Sequence, residues 1–143
     1  VLVLVQATVL TIGLSEKNKA LRELPIRLVK MQSTGEAARS LKTEKVDSVI
    51  SKFSVDDADN GQFLRNLRAI KPDIPTIVFI KAGDVEQEIA ARSLGVSAVL
   101  SEDSDDDIFR ETVANVLGLQ RVVSIKSLAK ARNEQDQYVE VNR

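Results

Sequence analysis

The 143-residue sequence contains no cysteine, no histidine and no tryptophan, and aromatic residues make up only 3% of it. Disulfides, thiolate nucleophiles, imidazole bases, phosphohistidine and cysteine or histidine zinc sites are thereby excluded. So few rings leave little from which to build a stacking platform for single-stranded nucleic acid or a flat cofactor. An excess of one charge is lacking too: 20 Lys and Arg stand against 21 Asp and Glu, a net charge of -1. Nothing global draws such a chain to phosphate backbones or anionic membranes. Thr34-Gly35 and Ala82-Gly83 lack the spacing of a Gly-rich phosphate loop. Serines without histidine or a GxSxG elbow assemble no acyl-transfer triad. The apolar stretch 1–14 has no basic flank and is interrupted by Gln6, Thr8, Thr11 and Gly13, so it fits neither a spanning helix nor an intact signal peptide. These absences point to a cytoplasmic domain with no membrane segment, no direct nucleic-acid contact, no metal and no cofactor.

What is present is an apolar content of 43%, enough for one proper core at this length. The first residue, Val1, suggests a fragment or a trimmed chain. At the centre lies KPDIPTIVFIKAGD, Lys71 to Asp84. Pro72 and Pro75 fix its start, and Ile74 with Ile77 to Ile80 form an apolar run rich in branched residues and too short for a lone helix. This is the pattern of a strand buried on both faces, which implies a parallel sheet between helical layers.

The rest of the chain repeats that alternation. Residues 1–7 read as an N-terminal arm or extra strand, and Thr8 to Leu14 as the first core strand. Ser15 is placed to cap a short helix running to Leu24 before Pro25, and Ile26 to Gln32 alternates as a strand. Ser33 and Glu36 form a capping box ahead of a helix with Ala37, Ala38 and Leu41 on its apolar face. Val46 to Phe53 is a third strand, followed by SVDDADNG and a helix whose Phe63, Leu64, Leu67 and Ile70 share a face. Asp84 caps a helix carrying Val85, Ile89, Ala90 and Leu94, closed by Gly95. Val96 to Leu100 is a fifth strand, and Ile108, Phe109, Val113, Val116 and Leu117 line a fifth helix ending at Gly118. Five strands alternating with five helices, under right-handed crossovers, give a flavodoxin-like doubly wound α/β sheet of order 2-1-3-4-5 over residues 8–119. Residues 120–143 carry more basic than acidic residues and read as a linker or C-terminal extension. Two acidic clusters, Asp56-Asp57-Asp59 and Asp103 with Asp105 to Asp107, precede helices and are assigned to capping. The first of them has Leu67 where a calcium loop needs its bidentate glutamate.

VDSVISKF, FLRNLRAIKPDIPTIVFIKAGD and AARSLGVSAVLSE together resemble a response-regulator receiver domain, over about residues 8–119. The resemblance implies an acidic pair after strand one for magnesium, a phosphate-accepting aspartate after strand three, a Ser or Thr after strand four and a lysine after strand five. Laid on this sequence, the pair falls on Gly13 and Leu14, or by a shift on Ser15 and Glu16. The acceptor falls on Lys52, the hydroxyl on Ile80 or by a shift Lys81, and the lysine on Glu102, followed by Asp103 in place of the usual proline. All four groups depart together, as in a pseudo-receiver. The charge reversal suggests that Lys52 and Glu102 pair with each other, and the competing reading leaves them as separate solvated residues.

The resemblance therefore implies a phosphorylation-independent signalling, dimerisation or interaction module without catalysis. Its surface is expected on the fourth helix, fifth strand and fifth helix, with Asp84, Glu88, Arg92, Asp106, Asp107, Arg110 and Glu111 in a mixed-sign, self-complementary arrangement. The alternative is a ligand-binding or catalytic domain using the crevice at the strand C-terminal ends. A third reading makes the chain the regulatory fragment of a larger transcription factor, kinase or ATPase.

Overall fold

A computed structural model describes residues 5–56 and 58–119. Of the arm expected over residues 1–7, residues 1–4 lie outside the described residues, as does the extension expected over residues 120–143, while Ala7 already opens the first strand. Five parallel strands, β1 (Ala7–Ile12), β2 (Ile26–Met31), β3 (Ser48–Lys52), β4 (Thr76–Ile80) and β5 (Ala98–Ser101), form one sheet in the order β2-β1-β3-β4-β5. This is the flavodoxin-like α/β arrangement.

Every residue of β4 is buried, and the twofold period of the strand divides them between two cores. Val78 and Ile80 join Leu10, Ile12 and Val49 under α1 (Thr34–Thr43), α2 (Gln62–Ile70) and α3 (Val85–Ser93). Ile77 and Phe79 join Val9 and Ile50 under α4 (Asp106–Leu117) and a 3-10 helix (Ser15–Leu21). On that second face Phe79 and Phe109 meet edge to face, with ring centroids 4.8 Å apart.

The caps follow the sequence in three helices. Ser33, Asp84 and Asp105 accept from the amides of Glu36, Gln87 and Ile108. In the turn before α2, Asp56 accepts from Ala58 and Asp59 while Asp59 accepts from Phe63.

The first helix departs from expectation. Ser15 does not cap it; Ser15 itself has φ 47°, two residues after Gly13 at φ 70°, and the position before the helix is Leu14, with no side-chain cap. Residues spent on this turn leave room for only a tight helix, closed by i-to-i−3 bonds such as Lys17 to Leu14 and Arg22 to Lys19. Thr11 Oγ1 donates to Asn18 Oδ1 at 2.8 Å, both residues being buried, and so ties the helix to β1.

Four expected core residues lie outside. Ile70 is 76% exposed, Val85 and Ile89 are each 61% exposed, and Ile108 is 49% exposed. Helices packed on a sheet bury a narrow stripe here: α3 buries only Ala91, and a narrow stripe leaves its neighbours in the apolar periodicity facing outward. Ala38, too, is exposed, while Ala37 and Ser40 turn inward.

Candidate functional site

The C-terminal ends of β1, β3, β4 and β5 lie along one edge of the parallel sheet, where such folds assemble their chemistry. After β1, Gly13 donates its N–H to Met31 and brings its bare Cα close to the next strand; a Cβ there would lie 3.5 Å from Val55 Cγ1 and 4.0 Å from Lys52 Cδ. Leu14 is 3% exposed and belongs to the core beneath α4. The shifted candidates do not supply an acid to the edge either. Glu16 is exposed and bound to Lys19 at 2.6 Å, and that lysine's hydrogen bond and charge hold its carboxyl below the ordinary glutamate range.

After β3, Lys52 extends its ammonium to Glu102, with Nζ 3.3 Å from Oε1. The two side chains are 36% and 30% exposed. After β4, Ile80 is buried and its carbonyl accepts from the Glu102 amide at 2.8 Å, so the same bond that ends the β4–β5 ladder sets the glutamate. Lys81 is exposed, and its amide donates to Gln87 Oε1. Asp103, beside Glu102, accepts from the Ser101 hydroxyl.

Sequence reasoning missed Lys17. From the 3-10 helix its ammonium donates to the Glu102 carbonyl at 2.5 Å and lies 4.9 Å from the centroid of Phe79. Glu102 is thus held by Lys52 at its carboxylate and by Lys17 at its backbone. Its partner in the 3-10 helix is 85 positions away, and Lys17 in SEKNK carries no mark that separates it from a solvated lysine.

At positions 13, 14, 52 and 80 the edge therefore offers a hydrogen, a buried isobutyl group, an ammonium and a buried sec-butyl group. Hard cations are bound by oxygen ligands and carboxylates. These four side chains supply none, and the ammonium of Lys52 repels a divalent ion.

The expected interaction residues divide. Asp84 is spent as the α3 cap, and Glu88 pairs with Arg92 at 3.3 Å on the solvent side of α3. Asp106 and Glu111 are exposed on α4. Arg110 departs from the expected face: it bonds Asp107 at 2.8 Å and donates from Nε to the Ala20 carbonyl at 2.9 Å, so it turns toward the 3-10 helix. Half-burial of its long stem along that helix explains the direction. A groove of about 550 Å³ lies between α1 and α2, lined from their starts at Thr34 and Gln62 to their ends at Lys42 and Lys71.

No family model matches the chain. Among solved structures it is similar to the signal receiver domain of an HD domain-containing protein from Pseudomonas fluorescens Pf-5, with TM-score 0.70 and 21% identity over 78% of this chain and 94% of that one. A CheY-like response regulator receiver domain protein from Methanospirillum hungatei JF-1 gives TM-score 0.69 at 13% identity, again over 78% and 94%. The fold is that of a response-regulator receiver domain. Within this receiver fold, 90 residues, 63% of the chain, are 30% identical to the transcriptional regulatory protein GlrR of Escherichia coli (strain K12). The match covers 20% of that protein, so the chain spans about a fifth of the curated relative. Among the described residues of the receiver fold, no helix is long and apolar enough to cross a membrane.

Proposed function

We propose that the chain is a pseudo-receiver: a signalling module that works through protein contacts, without accepting a phosphoryl group and without catalysis of its own. The observation that carries this reading is the Lys52–Glu102 pair, 3.3 Å apart, at the two positions where the resemblance implies a phosphate-accepting aspartate and a phosphate-binding lysine. An ammonium cannot form the acyl phosphate, and a carboxylate at position 102 repels the incoming anion. The pair, with Lys17 behind it, holds the ends of β3 and β5 together and so favours one arrangement of the loops that a phosphoryl group would otherwise organise.

The output surface in this reading is α3, β5 and α4, with Arg92, Asp106 and Glu111 exposed and Glu88 half-buried on it, and a second copy or another protein as partner. Similarity to part of a transcriptional regulatory protein supports a role as the receiver segment of a larger cytoplasmic regulator. Incubation with a small-molecule phosphodonor and magnesium, followed by intact-mass measurement, is expected to leave the chain unmodified. A phosphoryl group recovered on any aspartate would overturn the proposal.

A further inference from the structure

The sheet face covered by α1, α2 and α3 carries two features of opposite shape. One is the groove of about 550 Å³ between α1 and α2. Ala38, Leu41, Phe63, Leu67 and Ile70 give it an apolar lining, and Ile70 stands 76% exposed. Lys42 and Lys71 lie at the end where both helices finish. Lys71 uses one N–H on the Leu41 carbonyl, at 3.2 Å, and keeps two more to give. The acid in the lining, Asp59, has its carboxylate turned to the amides of Val55 and Phe63. The groove is therefore apolar and bordered by positive charge.

The second feature is the crown of α3. Val85 and Ile89, one turn apart, are each 61% exposed, while Ala91 on the opposite side is fully buried. They point away from the sheet as an apolar ridge. Glu86 and Glu88 in the first turn flank it, and Glu88 pairs with the exposed Arg92, an exchange that costs little.

We infer that this face pairs with the same face of a second copy, the Val85–Ile89 ridge of each chain entering the α1–α2 groove of the other. Within one chain α2 stands between ridge and groove, so neither feature can satisfy the other. Between two chains a single two-fold axis lying in the face closes both contacts at once. The charges set its direction. Helices that cross over a parallel sheet all start at the same edge, so Glu86 and Glu88 lie near one edge and Lys42 and Lys71 near the other. Bringing them together requires the helices of the two copies to cross, with the axis running obliquely over the face. The inference rests on the protein-contact reading above and moves the self-contact from the β5 edge to the helical layer.

The test is sedimentation equilibrium on the full chain and on two charge-reversed variants, Lys42→Glu with Lys71→Glu, and Glu86→Lys with Glu88→Lys, with thermal melting as a check on folding. Each variant alone is expected to self-associate at least about tenfold more weakly than the parent chain. An equal mixture of the two is expected to recover parental association, because groove then matches ridge at both contacts. Ile70→Asp and Ile89→Asp, at exposed positions that spare the core, are each expected to weaken association as well. A monomeric parent chain, variants that associate unchanged, or a mixture that fails to recover would overturn the inference. Loss of association in Glu111→Lys but not in the groove variants would overturn it too, while leaving the α3, β5 and α4 surface standing.

Discussion

At Gly61 the backbone turns into α2 with φ 82°, and a Cβ added there would lie 2.6 Å from Cζ of Phe53. Phe53 is 4% exposed and packed in the core under α2, so its ring has little freedom to retreat. Gly61→Ala combines a left-handed backbone strain with overpacking and is expected to cost about 2–4 kcal/mol. Denaturant unfolding checks this, and a loss below about 0.5 kcal/mol would contradict it. In the sequence this glycine is the last residue of a polar turn; the ring that closes over it is not legible there. Lys52 and Glu102 were legible as a possible pair because their charges are reversed together against the resemblance. The orientation of Arg110 was not, since a helix-surface arginine reads alike whether it points to solvent or across to a neighbouring backbone carbonyl.

The 3-10 helix shows what decides the stability of a single element. Seven residues closed by i-to-i−3 bonds are weak on their own, and here a buried side-chain bond, Thr11 to Asn18, joins them to β1. Asn18 Nδ2 also donates to the Ser15 carbonyl, inside the turn that starts the helix. Asn18→Ala leaves the Thr11 hydroxyl buried without that acceptor, a cost of about 1–3 kcal/mol. Amide hydrogen exchange is expected to quicken across residues 15–21 while β3 and β4 stay protected; unchanged exchange in the helix would show that apolar packing of Leu21 suffices. Strands and helices were placed well by periodicity because the runs are short and bounded by Pro, Gly and capping residues. Helix faces were placed less well. In α3 the apolar pattern led inward on paper for Val85, Ile89, Ala90 and Leu94; Ala90 and Leu94 do pack against the core beside the buried Ala91, but Val85 and Ile89 face outward.

For the whole molecule, one sheet serves two cores, and adjacent residues of β4 belong to opposite ones. The strands cannot be lost from one core and kept in the other. Leu64→Ala on the α2 side and Phe109→Ala on the α4 side are each expected to cost about 2–5 kcal/mol and to lower a single shared transition. Separate transitions for fluorescence-silent and helix-sensitive probes, such as heat capacity and circular dichroism, would count against the coupling. The topology was legible from the sequence because alternating short strands and helices in a chain of this length leave few right-handed arrangements.

The Lys52–Glu102 pair also constrains how the sequence can drift. Lys52→Asp alone would set two carboxylates side by side in a half-buried place, and Glu102→Lys alone would gather three ammoniums around one loop. Either single reversal exchanges attraction for repulsion, so the two positions are epistatic. The pair thus acts as a small ratchet: reversing the charge at both ends without passing through repulsion takes two coordinated substitutions.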